Sequence, residues 1–337
     1  MLKMNKSLEH HVSKQDDLIV IDSDKSSEET ISNDRRANLK VRKKTVNDNS
    51  AYHSLHLGFL PHRSYPKIRG SCRGFLLLDC NTCLYLWNPS TGFHEQILVS
   101  NSNNNYFKLL FGFGYDLSSD NYIVLLGSYK YNYSNTNSID LEIFPLRANK
   151  WEEIEFDSHL PYRNTARSNG WPRVGLFLNG TIHWLVHNHE TNKDVIVAFD
   201  LKEATMSEIA LPNDFYTDYS PVDYDLLVFG GLISLWILEM DAVKIRVMHE
   251  YAMDSCWTRT LVFSMHPAPH FSPISFTKFG DIVGTDCRGG FVKFNDKGQL
   301  LEHHSRGDCY FVRSQIAVHT KSYTESLLSL PGGGEQA

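Results

Sequence analysis

The chain has 337 residues, of which 42% are hydrophobic, 12% aromatic and 21% charged, and its net charge is −6. This composition is typical of a globular protein that can bury a core, and the negative charge argues against general nucleic-acid binding, which depends on neutralising phosphates. Because no apolar run approaches the roughly 20 residues that cross a bilayer, and residues 1–17 lack the apolar core of a secretory signal, we expect no membrane partner and a location in the cytoplasm, the nucleus or both.

Residues 1–50 differ in composition from the rest of the chain. They are rich in Lys, Asp, Glu, Ser and Asn and contain no aromatic residue. Such a segment does not bury enough apolar area to offset the entropy lost on ordering. We therefore expect a disordered charged arm over residues 1–50, a β domain over residues 51–330 and a flexible tail over residues 331–337.

The arm contains one apolar island, formed by Leu18, Ile19, Val20 and Ile21. With the acidic residues and serines that follow, it resembles a SUMO-interacting motif, which adds a strand to the edge of a partner's sheet. With Asp16 and Asp17 before it, the island also resembles the opening of an F-box helix. The third interpretation is an apolar cluster without a partner.

The β domain begins with a repeated pattern, most clearly at residues 68–92. Two apolar strands, residues 74–78 and 83–87, flank a polar turn, and the second strand ends at Asn88-Pro89-Ser90-Thr91-Gly92, because proline lacks the N–H that would continue the ladder. Cys80 and Cys83 have the C-x-x-C spacing of a zinc or redox site. Since no second pair follows at zinc-finger spacing, we interpret them as thiols at a hairpin turn.

The same pattern returns four times downstream, within residues 107–156, 174–211, 226–257 and 274–304. Each unit runs from a glycine turn through an apolar strand and a polar loop to a second strand that ends in an aromatic residue followed by Asn or Asp. Five or six units of roughly 40 to 50 residues have the period of propeller blades. The sequence therefore predicts an all-β, propeller-like array of small antiparallel sheets, and the alternative is a pair of two-sheet β-sandwiches.

Two connections are candidates for recognition of another protein. The segment 157–172 is longer than the usual loop of about 4 to 6 residues, and long loops are usually functional or disordered. Because aromatic and arginine side chains supply most of the binding energy at interfaces, we select from this segment and from the one that follows Leu211. The candidates are Tyr162, Arg163, Arg167, Trp171, Tyr216, Tyr219 and Tyr224. In the alternative, Trp171 and some of the tyrosines pack beneath their own loops.

No catalytic pattern stands out. The sixteen histidines are scattered, His187 and His189 have no obvious third metal ligand, and no nucleophile elbow occurs. Gly112 and Gly114 are not followed by the third glycine and the helix of a dinucleotide loop. We expect no enzymatic activity, cofactor or metal, although a propeller enzyme remains an alternative because fold alone does not exclude one.

The segments LYLWNPSTG, FGFGYDLSSDNYIVL, FLNGTIHWLV and VIVAFDLKEATMSEIALP resemble the F-box-associated domain of plant F-box and F-box/kelch-repeat proteins. The resemblance covers about residues 55–330. It implies a target-recognition domain of an SCF-type ubiquitin ligase, in which an N-terminal F-box binds the Skp adaptor and the cullin. Residues 1–50 lack the family's leucine- and proline-rich F-box pattern. The alternative is therefore an orphan domain that binds a target without the ligase.

Overall fold

The computed structural model describes residues 57–304 with short gaps, the strand residues 16–23, 39–45, 53–55 and 319–324, and residues 326 and 327. The gaps are residues 62–63, 65, 81, 100–105, 131–138, 157–159, 166–171, 213–214, 216–222, 240–241, 253–256, 265–270, 278 and 287–289. The described part of the chain consists of strands and turns, and it contains no helix long and apolar enough to cross a membrane.

The strands follow one another in small sheets. The first three strands are β1 (Asp16–Ser23), β2 (Leu39–Thr45) and β3 (His53–Leu55). Blade 1 consists of β4 (Lys67–Cys72), β5 (Phe75–Asp79), β6 (Cys83–Trp87) and β7 (His94–Leu98). Blade 2 consists of β8 (Tyr106–Asp116), β9 (Asn121–Lys130), β10 (Ile139–Pro145) and β11 (Glu152–Ile154). In blade 3, β12 (Tyr162–Arg163) and β14 (Leu176–Leu178) both pair with β15 (Thr181–Asn188) and together form the first strand. The second, third and fourth strands of blade 3 are β15, β16 (Lys193–Asp200) and β17 (Thr205–Ala210).

The remaining strands complete the series. Between β12 and β14, the short β13 (Arg173–Val174) pairs in parallel with β8 of blade 2. Blade 4 consists of β18 (Asp223–Phe229), β19 (Leu232–Glu239), β20 (Ala242–Met248) and β21 (Trp257–Ser264). Blade 5 consists of β22 (Ser272–Phe276), β23 (Ile282–Thr285), β24 (Phe291–Phe294) and β25 (Leu300–His304). The last strand is β26 (His319–Thr324).

A sixth sheet, which we call the closing sheet, joins the two ends of the chain. Its strand order is β26-β1-β2-β3, and β26 contacts both β4 of blade 1 and β22 of blade 5. The prediction of a disordered arm is therefore wrong at residues 16–23 and 39–45, while the rest of residues 1–50 lies outside the described residues. Strand β1 pairs with β2 on one edge and with β26, about 300 residues away, on the other, and local composition does not reveal so distant a partner.

The first strands of successive blades contact one another around the ring, and the predicted propeller-like array is confirmed. The alternative of paired β-sandwiches is wrong, because the sheets follow one another around a ring instead of packing face to face in pairs. Blades 2 and 3 show why the sheets pack so closely. A Cβ on Gly112 would lie 2.8 Å from the Trp184 ring, and one on Gly114 would lie 2.6 Å from Phe177. These two glycines therefore make room for aromatic rings of the next blade.

As predicted, an aromatic residue followed directly in sequence by Asn or Asp marks the end of the third strand in several blades. The side-chain oxygen of Asp200 accepts the backbone N–H groups of Lys202 and Glu203, and that of Asn295 accepts those of Lys297 and Gln299. Asn88 does the same for Ser90. These bonds replace ladder bonds at the point where the strand stops.

Asn88 also supports closure of the ring. It is fully buried, and its Nδ2 donates to the carbonyl oxygen of Ser326 at 2.9 Å, two residues after β26. We expect Asn88→Ala to lower the free energy of unfolding by about 1–3 kcal/mol, because a buried hydrogen bond between blade 1 and the end of the chain is lost. Urea denaturation of the wild type, Asn88→Ala and a control, Asn295→Ala, measures the loss of stability. The control removes only local bonds of an equivalent turn. Equal losses in the two variants would show that the bond to Ser326 adds nothing.

Candidate protein-binding face

The two ends of the propeller differ in the connections that they carry. The turns between first and second strands and between third and fourth strands lie at one end, which we call the turn face. The opposite ends of the strands, which include β12 and the end of β15, lie at the other end, the loop face. Contacts tie the turns of neighbouring blades together: the rings of Phe229 and Phe276, just before the first turns of blades 4 and 5, are 4.4 Å apart. This contact joins the turn faces of blades 4 and 5.

Most of the large apolar side chains that the described residues expose lie on the turn face. Seven such side chains are exposed, and five of them belong to this face: Phe93, Leu117, Tyr251, Phe279 and Leu327. Leu117, Phe279 and Leu327 are 80%, 73% and 83% exposed. The other two, Leu98 and Leu301, lie on the outermost strands β7 and β25.

Side-chain hydrogen bonds fix the turns that carry Leu117 and Phe279. The Asp116 carboxylate accepts the backbone N–H and hydroxyl groups of Ser118 and Ser119. Although burial raises the pKa of Asp116, these four donors hold it below its ordinary value. In blade 5, the Thr277 hydroxyl oxygen accepts the N–H groups of Phe279 and Asp281. Both apolar side chains are thus presented on rigid turns.

A pocket of about 530 Å³ opens on the turn face where blades 1, 2 and 3 meet. Its lining consists of Arg73, Tyr115, Asp116, Leu117, Ser118, Phe177, Asn179, Gly180, Asp200 and Lys202. The Arg73 guanidinium carbon lies 3.9 Å from the centre of the Tyr115 ring. The Tyr115 hydroxyl donates to Asp120, which also pairs with Arg147, so the ring beneath the guanidinium is held in place.

A buried histidine anchors Tyr251 at the same face. His183 on β15 is 1% exposed; its Nδ1 lies 3.2 Å from the carbonyl oxygen of Leu176, and its Nε2 lies 2.8 Å from the Tyr251 hydroxyl. Burial lowers the pKa of His183 to about 4. The neutral ring therefore donates through Nδ1 and accepts the tyrosine proton at Nε2.

A family model described as the F-box associated beta propeller domain matches residues 27–281. The chain belongs to this family. The match begins before β2, within the segment predicted as an arm. A search of curated proteins found no match.

A solved structure shares the fold at low sequence identity. The structure of TolB from Acinetobacter baumannii is 11% identical, with 91% of this chain and 66% of that chain covered and a TM-score of 0.51. Dipeptidyl peptidase 4 from Porphyromonas gingivalis is 8% identical over 84% of this chain and 44% of that chain, with a TM-score of 0.37. The chain described here therefore spans about two thirds of the TolB chain, and the similarity shows the fold alone.

Three of the seven recognition candidates predicted from the sequence lie within the described residues. Tyr162 and Tyr224 are buried, so they support the fold instead of offering contact surface. The Tyr224 hydroxyl donates to Asp194 at 2.5 Å, and burial, followed by bonds to acidic partners, raises the pKa of both tyrosines. Arg163 is exposed on β12. Four candidates lie outside the described residues: Arg167, Trp171, Tyr216 and Tyr219.

The other motifs of the sequence are placed as follows. Leu18 to Ile21 lie in β1, whose two edges are paired with β26 and β2. SUMO binding through this strand stays a prediction, and it would require one of these neighbouring strands to leave.

Cys80 and Cys83 are buried on either side of a turn, and burial raises the pKa of Cys80 to about 12. His187 Nδ1 lies 2.7 Å from Asp194. The described residues contain no cluster of three or more metal-ligating side chains.

Sequence analysis did not identify the turn-face residues. A signal was nevertheless present: Leu117 and Phe279 are large apolar residues inside short turns, where Gly, Asn, Asp and Ser are preferred. Their neighbours Asp116, Ser118 and Gly280 follow that preference. An apolar side chain in such a turn is exposed to water, which is unfavourable, and it does not help the turn to form. Its presence therefore points to a role in contact with a partner.

His183 should make stability depend on pH. Because its pKa of about 4 in the folded protein lies below the ordinary 6.5, protonation favours the unfolded state, and stability falls as pH drops from about 6.5 to about 4. Across this window we expect the wild type to lose on the order of 2–3 kcal/mol more than His183→Gln. Urea denaturation at several pH values measures the difference, with His249→Gln, an exposed histidine, as control. Parallel pH profiles for wild type and His183→Gln would contradict this role.

Proposed function

We propose that this protein is a non-enzymatic binding module that recognises another protein through its turn face. The observation that carries the proposal is the gathering of five exposed apolar side chains on one end of the propeller. An end of a protein that carries most of the exposed apolar side chains is a candidate interaction surface. Because the turns beneath Leu117 and Phe279 are held by hydrogen bonds, little conformational entropy would be lost on binding.

The ubiquitin-ligase role is the finer part of the proposal. Membership of the F-box associated family supports a target receptor of an SCF-type ligase, with the Skp adaptor and a cullin as partners in the cytoplasm or nucleus. The alternative is a target-binding domain that acts without the ligase. One observation favours this alternative: residues 16–20, which resemble the opening of an F-box helix, lie in strand β1.

Charge on the turn face should abolish target binding. We expect the double variant Leu117→Asp/Phe279→Asp to lose the proteins that the wild-type chain captures from a cell extract, because buried unpaired carboxylates oppose association. The matched control is Leu98→Asp/Leu301→Asp, which introduces the same charges on the outermost strands. Quantitative mass spectrometry of the captured proteins measures the difference. Retention of the same proteins by the turn-face variant, or their loss from both variants alike, would argue against the turn face.

Binding of the adaptor separates the two functional alternatives. If the ligase role holds, the purified full chain forms a complex with the Skp adaptor in size-exclusion chromatography, and the complex recruits the cullin. If the domain acts alone, the chain elutes separately from the adaptor and still captures its target. Titration of SUMO in the same experiment tests the apolar island of β1, since a shift in elution requires β1 to give up one of its paired edges.

A further inference from the structure

We infer that the turn-face pocket binds a target segment in which an apolar side chain lies next to an anionic group, and that Arg73 recognises the anion. This inference rests on the proposed function and specifies the chemistry of the partner. The pocket volume of about 530 Å³ falls within the range of roughly 300–1,000 Å³ that ligand sites usually occupy.

Arg73 is prepared for anion recognition by its surroundings. It occupies a tight turn with φ of 47°, and the following Gly74, with φ of 87°, is packed against Ser326. Its guanidinium lies over the Tyr115 ring, which leaves the N–H edges directed away from the ring face. Among the described residues, this guanidinium forms no ion pair. A stacked guanidinium with free edges suits the two oxygens of a carboxylate or phosphate.

The two carboxylates of the pocket already have partners. Asp116 accepts hydrogen bonds from four donor groups of Ser118 and Ser119, and Asp200 accepts the N–H groups of Lys202 and Glu203. The ammonium of Lys202 pairs with Glu203. Both carboxylates are thereby committed to holding turns, whereas Arg73 is the cation of the lining that holds no such partner. Of the charged groups in the lining, Arg73 therefore keeps its N–H donors available for a ligand.

The walls of the pocket provide the apolar part of the site. Leu117 is exposed at the rim and Phe177 is half-buried, and together they offer a surface for one aliphatic or aromatic side chain. Asn179 and Gly180 form the turn beside them, with φ of 51° and 81°. The Asn179 amide carries both donors and an acceptor, the groups that an extended peptide backbone requires. The site therefore fits a short extended segment.

An array of hexapeptides tests the inference with the full chain. One position is fixed as Leu or Phe, and each neighbouring position is in turn Asp, Glu, phosphoserine, Asn, Gln or Lys. We expect peptides with Asp, Glu or phosphoserine to bind about tenfold more tightly than their Asn and Gln counterparts, as for one charge-assisted hydrogen-bonded pair. The rank of Glu against phosphoserine distinguishes the two sources of negative charge. Equal binding of acid and amide peptides, a preference for Lys, or no binding by any peptide would overturn the inference.

Variants assign the preference to Arg73. In fluorescence anisotropy with the tightest peptide, Arg73→Gln should lose the tenfold preference for the acid, and Arg73→Lys should keep part of it. Lys297→Gln, which removes an exposed cation from another turn of the same face, should leave it unchanged. Thermal melting confirms that each variant is folded. If Arg73→Gln keeps the preference for acidic peptides, this inference fails and the proposed function stands. The same holds if Arg73→Gln keeps the target that Leu117→Asp/Phe279→Asp loses. If that double variant also keeps the target, the proposed function fails.

Discussion

The close packing of one blade on the next is the interaction on which the rest of this structure depends. Between blades 2 and 3 it is visible in atomic detail, where the Trp184 indole N–H donates to the carbonyl oxygen of Phe111 at 2.7 Å beside the bare backbone of Gly112. A four-stranded sheet of this size does not bury both faces by itself, so every blade needs its neighbours. Ring closure satisfies this need for all of them, and a rigid ring then presents its turns as one surface.

Much of this fold follows from the sequence because its signals are local. Glycine and Asn or Asp mark the strand ends, and the apolar runs between them give the repeat, so blades 1 to 5 are predicted close to their observed bounds. The failure at β1 has a physical cause: one of its two partners is β26, and strand pairing over about 300 residues leaves no local pattern. Composition alone described that segment as too charged to fold.

The site was harder to predict than the fold because exposure is a property of the assembled ring. Tyr162 and Tyr224 have the residue type of interface anchors, yet each lies in the core, where a polar partner accepts its hydroxyl proton. Leu117 has the residue type of a core position and is exposed. Sequence analysis assigns roles by residue type and loop length, and both criteria favoured the loop face. The short turns became candidates only when their neighbours in space were known.

The closing sheet has a consequence for the order in which the protein is made. Strand β1 leaves the ribosome before β26, one of its two partners, which is synthesised about 300 residues later, a delay of roughly 15–60 seconds at ordinary rates of translation. Throughout that time the apolar segment Leu18 to Ile21 has an open edge, which is a template for pairing with other chains. Nascent chains of this protein are therefore expected to depend on chaperones until the last strand arrives, and a chain truncated before β26 keeps that exposed edge permanently.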